Sequence, residues 1–185
     1  MSGRELIQVR RAVPDDAKAL APRLRAADVQ EIKAAIGDPP EAVLERSIEW
    51  SEPCFAAVKD AETVIALFGA VPELNDHEIG IVWLLGSDEL ANHPFYFLRN
   101  SRKWVDELQG LYPVLWNCVD ARNETHIKWL KWCDFTFLKR IEEYGVERRP
   151  FYEFTRVRAE NISRTRDADE LTGKQTQSSL VINTL

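Results

Sequence analysis

The side chains best equipped for chemistry in this 185-residue chain are three histidines, three cysteines and the aromatic and polar residues of one dense segment. His77, His93 and His126 form neither an HExxH pattern nor a pairing with closely spaced cysteines, so the sequence signals no metal site. Cys54, Cys118 and Cys133 are odd in number and lie in apolar surroundings, which suits reduced core thiols better than a disulfide framework. The dense segment is Leu115–Phe135, LWNCVDARNETHIKWLKWCDF: an apolar strand, a polar break and a short helix ending at an aromatic residue. On a helical wheel His126, Ile127, Trp129, Leu130, Trp132 and Cys133 fill a wide arc that leaves Lys128 and Lys131 as its polar side. That arc exceeds the roughly 100° stripe needed for one core contact, so the outer tryptophan reads either as a protein contact or as burial beneath the last strands. His126 reads as a packed or capping residue in preference to a catalyst.

The elements that would position these groups follow from periodicity. Ile7–Val13 alternates as a first strand. Pro14-Asp15-Asp16 starts a helix whose apolar spacing, Ala17, Leu20, Leu24 and Ala27, runs on with a kink to Ile36, where Gly37-Asp38-Pro39-Pro40 ends it. A second helix spans Glu41–Trp50. Cys54–Val58 and Thr63–Val71 form a hairpin, and Glu78–Leu85 supplies a further strand after the turn at 74–77. Pro94–Leu111 reads as a long helix, Pro113–Val119 as a strand, Glu124–Cys133 as the short helix, and Thr136–Tyr144 and Phe151–Val157 as closing strands. Residues 1–158 are expected to make one domain. Residues 159–185 lack periodicity and read as a disordered tail, or as a segment that waits for a partner.

Composition narrows the function classes. A net charge of −6 argues against general polyanion binding, which depends on basic residues replacing phosphate counterions. Arg99, Arg102 and Lys103 form a local basic cluster that reads as a solvated helix face. The start, MSGRELIQVRRAV, lacks a long apolar region, and no run approaches the roughly 18–20 apolar residues of a membrane span, so a cytoplasmic protein is expected.

The order strand-helix-helix-strand-strand-strand, with the 115–135 segment after it, resembles the GCN5-related N-acetyltransferase (GNAT) superfamily. That family's segment has an Asn opening the helix, a small residue three later, a Tyr seven later and Gly-Phe at eleven and twelve. Asn123, Ile127 and Phe135 fit, whereas His126 stands for the small residue, Leu130 for the Tyr that protonates the leaving thiolate, and Asp134 for the Gly. The resemblance implies an α/β fold of the α+β kind: a mixed, mostly antiparallel sheet of about seven strands, with four helices packed on both faces. It also implies acetyl-CoA lying between the fourth and fifth strands, its amides pairing with exposed backbone. Leu84, Leu85, Gly86, Ser87, Arg99 and Asn123 are then the cofactor-binding candidates, with the main chain of Leu84 or Leu85 as oxyanion donor. Glu73 and Glu78, which flank the turn into the fourth strand, are the candidate bases for an acceptor amine.

The family's Gly-rich phosphate turn is represented here by residues 86–96, GSDELANHPFY, with one glycine and two adjacent acids. That loop, with the Asn-x-x-His-Ile-x-Trp-Leu-Lys-Trp-x-x-Phe run at 123–135, is similar to small tailed-phage proteins labelled acetyltransferase-like and linked to virion morphogenesis as an internal virion protein. Two readings follow. One is a divergent acetyl-CoA-dependent N-acyltransferase acting on a small-molecule or protein amine. The other is a catalytically inactive GNAT-fold phage protein, in the host cytoplasm or the virion, that works through contacts with phage or host proteins.

Overall fold

A computed structural model of the chain describes residues 7–60 and 62–158; the tail expected at 159–185 lies outside them. Seven strands form one sheet in the order β1-β2-β3-β4-β5-β7-β6. They are β1 Ile7–Arg11, β2 Cys54–Lys59, β3 Thr63–Pro72, β4 Ile79–Gly86, β5 Val114–Asp120, β6 Thr136–Tyr144 and β7 Arg149–Val157. Every neighbouring pair is antiparallel except β4 and β5, which run parallel.

The described residues contain six α-helices, two more than the four expected: α1 Asp15–Leu20, α2 Ala26–Ala35, α3 Pro40–Trp50, α4 Glu89–Asn92, α5 Pro94–Leu111 and α6 Glu124–Trp132. The long first helix of the sequence reading divides. Pro22 sits in a 3-10 turn at Ala21–Arg23, and Leu24 and Arg25 turn extended (ψ 144°) before α2 begins afresh. The other addition, α4, is a single turn between β4 and α5, too short to leave a periodic signature.

Helices cover both faces. On one, Ala17 and Leu20 of α1, Ala34 and Ala35 of α2 and Leu44 of α3 pack on Leu67, Val71, Ile81, Trp116, Cys118 and Phe151. On the other, Val105 and Leu108 of α5, Leu130 of α6 and Cys133 just after it pack on Ala70, Val82, Leu115, Val119 and Phe154. Ser101, Val105 and Leu108 repeat at helical spacing on α5, and all three are buried. Among the described residues no helix is long and apolar enough to cross a membrane.

Asn123 caps α6, its side-chain oxygen accepting from the His126 N–H at 3.3 Å. Past the Cys133 cap of the helix, Asp134 takes φ 64°. A glycine would enter that region freely, and a short polar side chain tolerates it, so the acid in place of the family's Gly leaves the backbone path intact.

Candidate active site

The parallel pairing of β4 and β5 is brief: Ile79 faces Val114, Gly80 faces Leu115, Ile81 faces Trp116, and there the ladder stops. At the next step a side chain replaces the backbone partner. Asn117 Nδ2 donates to the Val82 carbonyl at 2.8 Å, while Asn117 Oδ1 accepts from the Cys118 N–H at 2.7 Å. Beyond this wedge the strands diverge.

Alternation along β4 identifies which main-chain groups face the gap. Glu78 and Val82 carbonyls accept from β5, from Val114 N and Asn117 Nδ2, so even-numbered residues turn their peptide groups that way. Ser87, of the other parity, donates its N–H to Ile65 of β3. Gly86 turns to the gap side and is already engaged: its N–H donates to Asp28 Oδ2 at 2.9 Å and its carbonyl accepts from Arg25 N at 2.9 Å. Leu84 lies between Val82 and Gly86, and the same alternation aims its N–H and carbonyl across the open interval.

Helix α2 spans the mouth of this gap. Asp28 and Glu31 stand three residues apart, hence on one face. Asp28, buried and held in a two-pronged ion pair by Arg25 at 2.8–3.0 Å, grips the end of β4 through Gly86. Glu31 reaches the end of β5: Oε2 accepts from Asn123 Nδ2 at 3.0 Å and from Asp120 N at 3.4 Å. The two carboxylates therefore strap together the ends of strands that no longer pair with each other. Removing the first prong should be costly. Asp28→Ala leaves a buried N–H and a partly buried guanidinium unpaired, and should lower stability by about 2–3 kcal/mol, read as a lower urea midpoint at unchanged m.

Inside the strap lies a cavity of about 100 Å³ that passes between the faces of the sheet. Ile32, Ile36, Val71, Ile81, Tyr144 and Phe151 line one side, and His126, Trp129, Leu130, Phe135 and Phe154 the other; Glu31, Leu84, Leu85 and Asn117 border the passage. Burial pushes the Glu31 carboxyl up to about 8; the Asn123 hydrogen bond offsets only part of this, and the nearby Asp28 and Asp120 add to it. Burial, assisted by Arg25, holds His126 down to about 3, so its imidazole is neutral at physiological pH. The Cys118 thiol is pushed by burial to about 12 and the Tyr144 hydroxyl well above its usual range, so both stay protonated. His126 and Trp129 line the cavity, but His126 Nδ1 and Trp129 Nε1 are enclosed by the protein and have no hydrogen-bond partner among the described residues.

The residues singled out from sequence fall in different places. Leu84 and Leu85 border the passage. Asn123 stands behind it and orients Glu31. Gly86 and Ser87 terminate β4 with their N–H groups bound within the protein. Arg99 is exposed on α5. Glu73 is buried at the β3–β4 turn, accepting from Asn75 N at 2.8 Å, and Glu78 is exposed at the start of β4. That turn is at the paired end of β4, and neither carboxylate is among the groups lining the cavity. The two tryptophans of α6 separate as their wheel positions require. Trp129 turns inward, and Trp132 is 46% exposed, with Arg102 stacked 4.6 Å from its ring. Glu31 was not apparent from sequence. Its signal was the pairing of Asp28 and Glu31 at a three-residue step on a helix whose next positions, Ile32 and Ala35, are apolar.

No family model matches the sequence, and no curated protein does. Solved structures do match in shape. A GCN5-related N-acetyltransferase from Kribbella flavida superposes with a TM-score of 0.60 at 13% identity, covering 82% of this chain and 98% of that one. The fold is that of the GNAT acetyltransferases. A spermidine N-acetyltransferase chimera from Vibrio cholerae and hSSAT gives 0.60 at 13% identity over 84% and 98% of the two chains. The protein yncA from Salmonella typhimurium, solved with its cofactor acetyl-CoA, gives 0.60 at 12% identity over 82% and 93%. At these identities the likeness speaks for the GNAT fold; the chemistry of this chain rests on its own side chains.

Proposed function

We propose that the protein is an N-acyltransferase that moves an acyl group from a coenzyme A thioester, acetyl-CoA by analogy of fold, to an amine. The observation that carries the reading is the placement of Glu31 at the opening between β4 and β5, held by Asn123 Nδ2 and Asp120 N, where burial raises its proton affinity. A base poised near the working pH is what removal of a proton from an attacking amine requires. The thioester supplies an electrophilic carbonyl and a sulfur leaving group. As the carbon–nitrogen bond forms and the carbon–sulfur bond breaks, Glu31 takes the proton from nitrogen. Its proton affinity is close to that of a thiol, so the same carboxyl can return that proton to sulfur. This supplies the acid that Leu130, buried where the family carries a tyrosine, cannot. The Leu84 N–H, aimed across the gap, is suited to the oxyanion.

The residues present fit a pantetheine thioester: the main chain of Leu84, beyond the end of the β4–β5 ladder, offers amide pairing. Gly86, Ser87, Arg99 and Asn123 remain in the proposal as the frame of that site, with Glu73 and Glu78 as alternative bases. The acceptor is a small-molecule or protein amine in a protein proposed to work in the cytoplasm. The other reading, an inactive phage protein of virion assembly, has no comparison in its favour.

Calorimetry of the full chain with acetyl-CoA is the test. Micromolar binding, followed by amine-dependent release of free thiol across a panel of primary amines, is the expected result. No binding at millimolar ligand would overturn the reading.

A further inference from the structure

We infer that the acceptor is a small primary amine with an apolar substituent, and that an acceptor with a second charged group, or with a peptide chain behind its amine, is rejected. The inference rests on the acyltransferase reading above and narrows its acceptor to one chemical class; the walls of the cavity beside Glu31 carry it.

An amine that gives its proton to Glu31 lies within hydrogen-bond reach of that carboxylate. Its substituent therefore meets whatever surrounds Glu31 on the same face of the sheet. Ile32 follows Glu31 on α2, Ala35 stands one turn on, and Ile36, Val71, Ile81 and Phe151 complete an apolar wall. Such a wall rewards apolar atoms and offers a polar substituent nothing in exchange for its water.

The polar groups around the cavity are already engaged with one another. Asn117 is held at both ends, by the Val82 carbonyl and the Cys118 N–H, and Trp83 Nε1 donates to Ser51 Oγ at 2.8 Å. Tyr144 and Cys118 are hydrogen-bonded to each other and both keep their protons, His126 is neutral, and Ser47 adds one neutral hydroxyl. Glu31 is thus the one lining side chain that becomes charged in the working range. The acids nearest to it are committed: Asp28 to Arg25 and Gly86, and Asp120 to Arg122. A second ammonium on the acceptor would be buried without a counter-charge, a cost that an apolar end group avoids.

Size and closure point the same way. The cavity of about 100 Å³ has space for roughly seven to ten water-sized groups, shared between the end of the thioester and the amine. Its α2 end is shut. Tyr144, the last residue of β6, and Ile36, the residue that caps α2, both line it. The turn after Tyr144 is seated on the helix, Val146 N donating to the Ala35 carbonyl at 3.3 Å and Glu147 N to the Ala34 carbonyl at 3.1 Å. Lys33 and Glu147 close the same seam with an ion pair at 3.6 Å. An extended peptide finds no groove between α2 and this turn.

Steady-state transfer by the full chain, with acetyl-CoA as donor, is compared for methylamine, pentylamine, 1,4-diaminobutane and a tripeptide with a free α-amine. Pentylamine and the diamine match in heavy-atom count and differ in the terminal ammonium. Expected is a kcat/KM for pentylamine at least about tenfold above methylamine and above the diamine, with the tripeptide lower still. Ile36→Asp, which sets a carboxylate in the apolar wall, should cut the preference for pentylamine over the diamine by about tenfold. The diamine or the tripeptide matching pentylamine on the unaltered protein would overturn the inference while the acyltransferase reading stands. So would faster transfer to methylamine from hexanoyl-CoA than from acetyl-CoA, which would give the apolar wall to the acyl chain. An unchanged preference in a folded Ile36→Asp protein would also count against it. No binding of acetyl-CoA and no transfer to any amine would remove the acyltransferase reading itself. The comparison among amines on the unaltered protein decides the matter even where the variant folds poorly.

Discussion

Replacing Glu31 by Gln should lower kcat with a good acceptor amine by about 10²–10³-fold, within the range that loss of a positioned general base produces. The isosteric amide keeps an oxygen for Asn123 and Asp120, so the strap across the two strand ends survives while the titrating proton is lost. On the proposed mechanism the unaltered protein should show a rate that climbs from pH 6 and levels above a midpoint near 8, because the working form of Glu31 is the carboxylate. In the variant that limb should vanish. Glu73→Gln and Glu78→Gln should each stay within about threefold of the parent, since neither side chain borders the cavity. A collapse of activity in Glu78→Gln, with Glu31→Gln intact, would move the base to the β3–β4 turn.

Stability gives the same residue a second readout with a definite sign. The folded protein holds the Glu31 proton more tightly than the unfolded chain, where a glutamate titrates near its ordinary value of about 4.3. The favourable contribution is fully present below that value and is lost as pH rises through about 8. Glu31→Gln removes the dependence, so the variant should melt with the parent at pH 4 and well above it at pH 9, the rise from about 4.3 to about 8 corresponding to a few kcal/mol. Rising stability with falling activity is the expected signature of a charge kept at some cost for function.

How far the sequence could be read depended on whether a residue's partners were local. The strands of the β2–β3 hairpin and the helix Pro94–Leu111 carried their own periodicity and turn residues, and both are present. Asn123 could be recognised as the residue that opens α6 because a cap acts on its own helix three residues on. Glu31 had no such local mark. Between Gln30 and Ile32 it looks like an ordinary helix-surface acid, and its meaning comes from Asn123, 92 positions later. The engagement of the loop after β4 at its first residue was likewise hidden. Acidic residues there were visible, but the capture of the Gly86 N–H comes from Asp28, 58 residues earlier and across the sheet. Glu73 and Glu78 stood out because they flank a turn near the fourth strand, yet a strand has two ends, and sequence does not say at which end it parts from its neighbour.

The position of Glu31 in turn depends on a glycine far from it in sequence. Gly145 sits in the β6–β7 turn at φ 68°, a region that costs an L-residue about 1 kcal/mol or more. The turn closes over the last turn of α2: Val146 N donates to the Ala35 carbonyl at 3.3 Å and Glu147 N to the Ala34 carbonyl at 3.1 Å, satisfying groups a helix end leaves open. A Cβ on residue 145 would stand 2.4 Å from Ala34 O and 2.5 Å from Ala35 Cα, against backbone that cannot rotate aside. Gly145→Ala should therefore destabilise by about 3–4 kcal/mol, the positive-φ cost plus overpacking, and lower Tm by roughly 6–16 °C. Gly110→Ala is the control: beyond its own helix backbone and chain neighbours, nothing lies within 4 Å of an added Cβ, and in a helix alanine should add up to about 1 kcal/mol. Because Ala34 and Ala35 lie one helical turn beyond Glu31, the folded Gly145→Ala protein should also lose turnover at 20 °C, with its pH midpoint displaced from 8 as Glu31 shifts against Asn123. Equal melting of Gly145→Ala and the parent would mean that the turn is not seated on α2, and that something else holds the carboxylate at the gap.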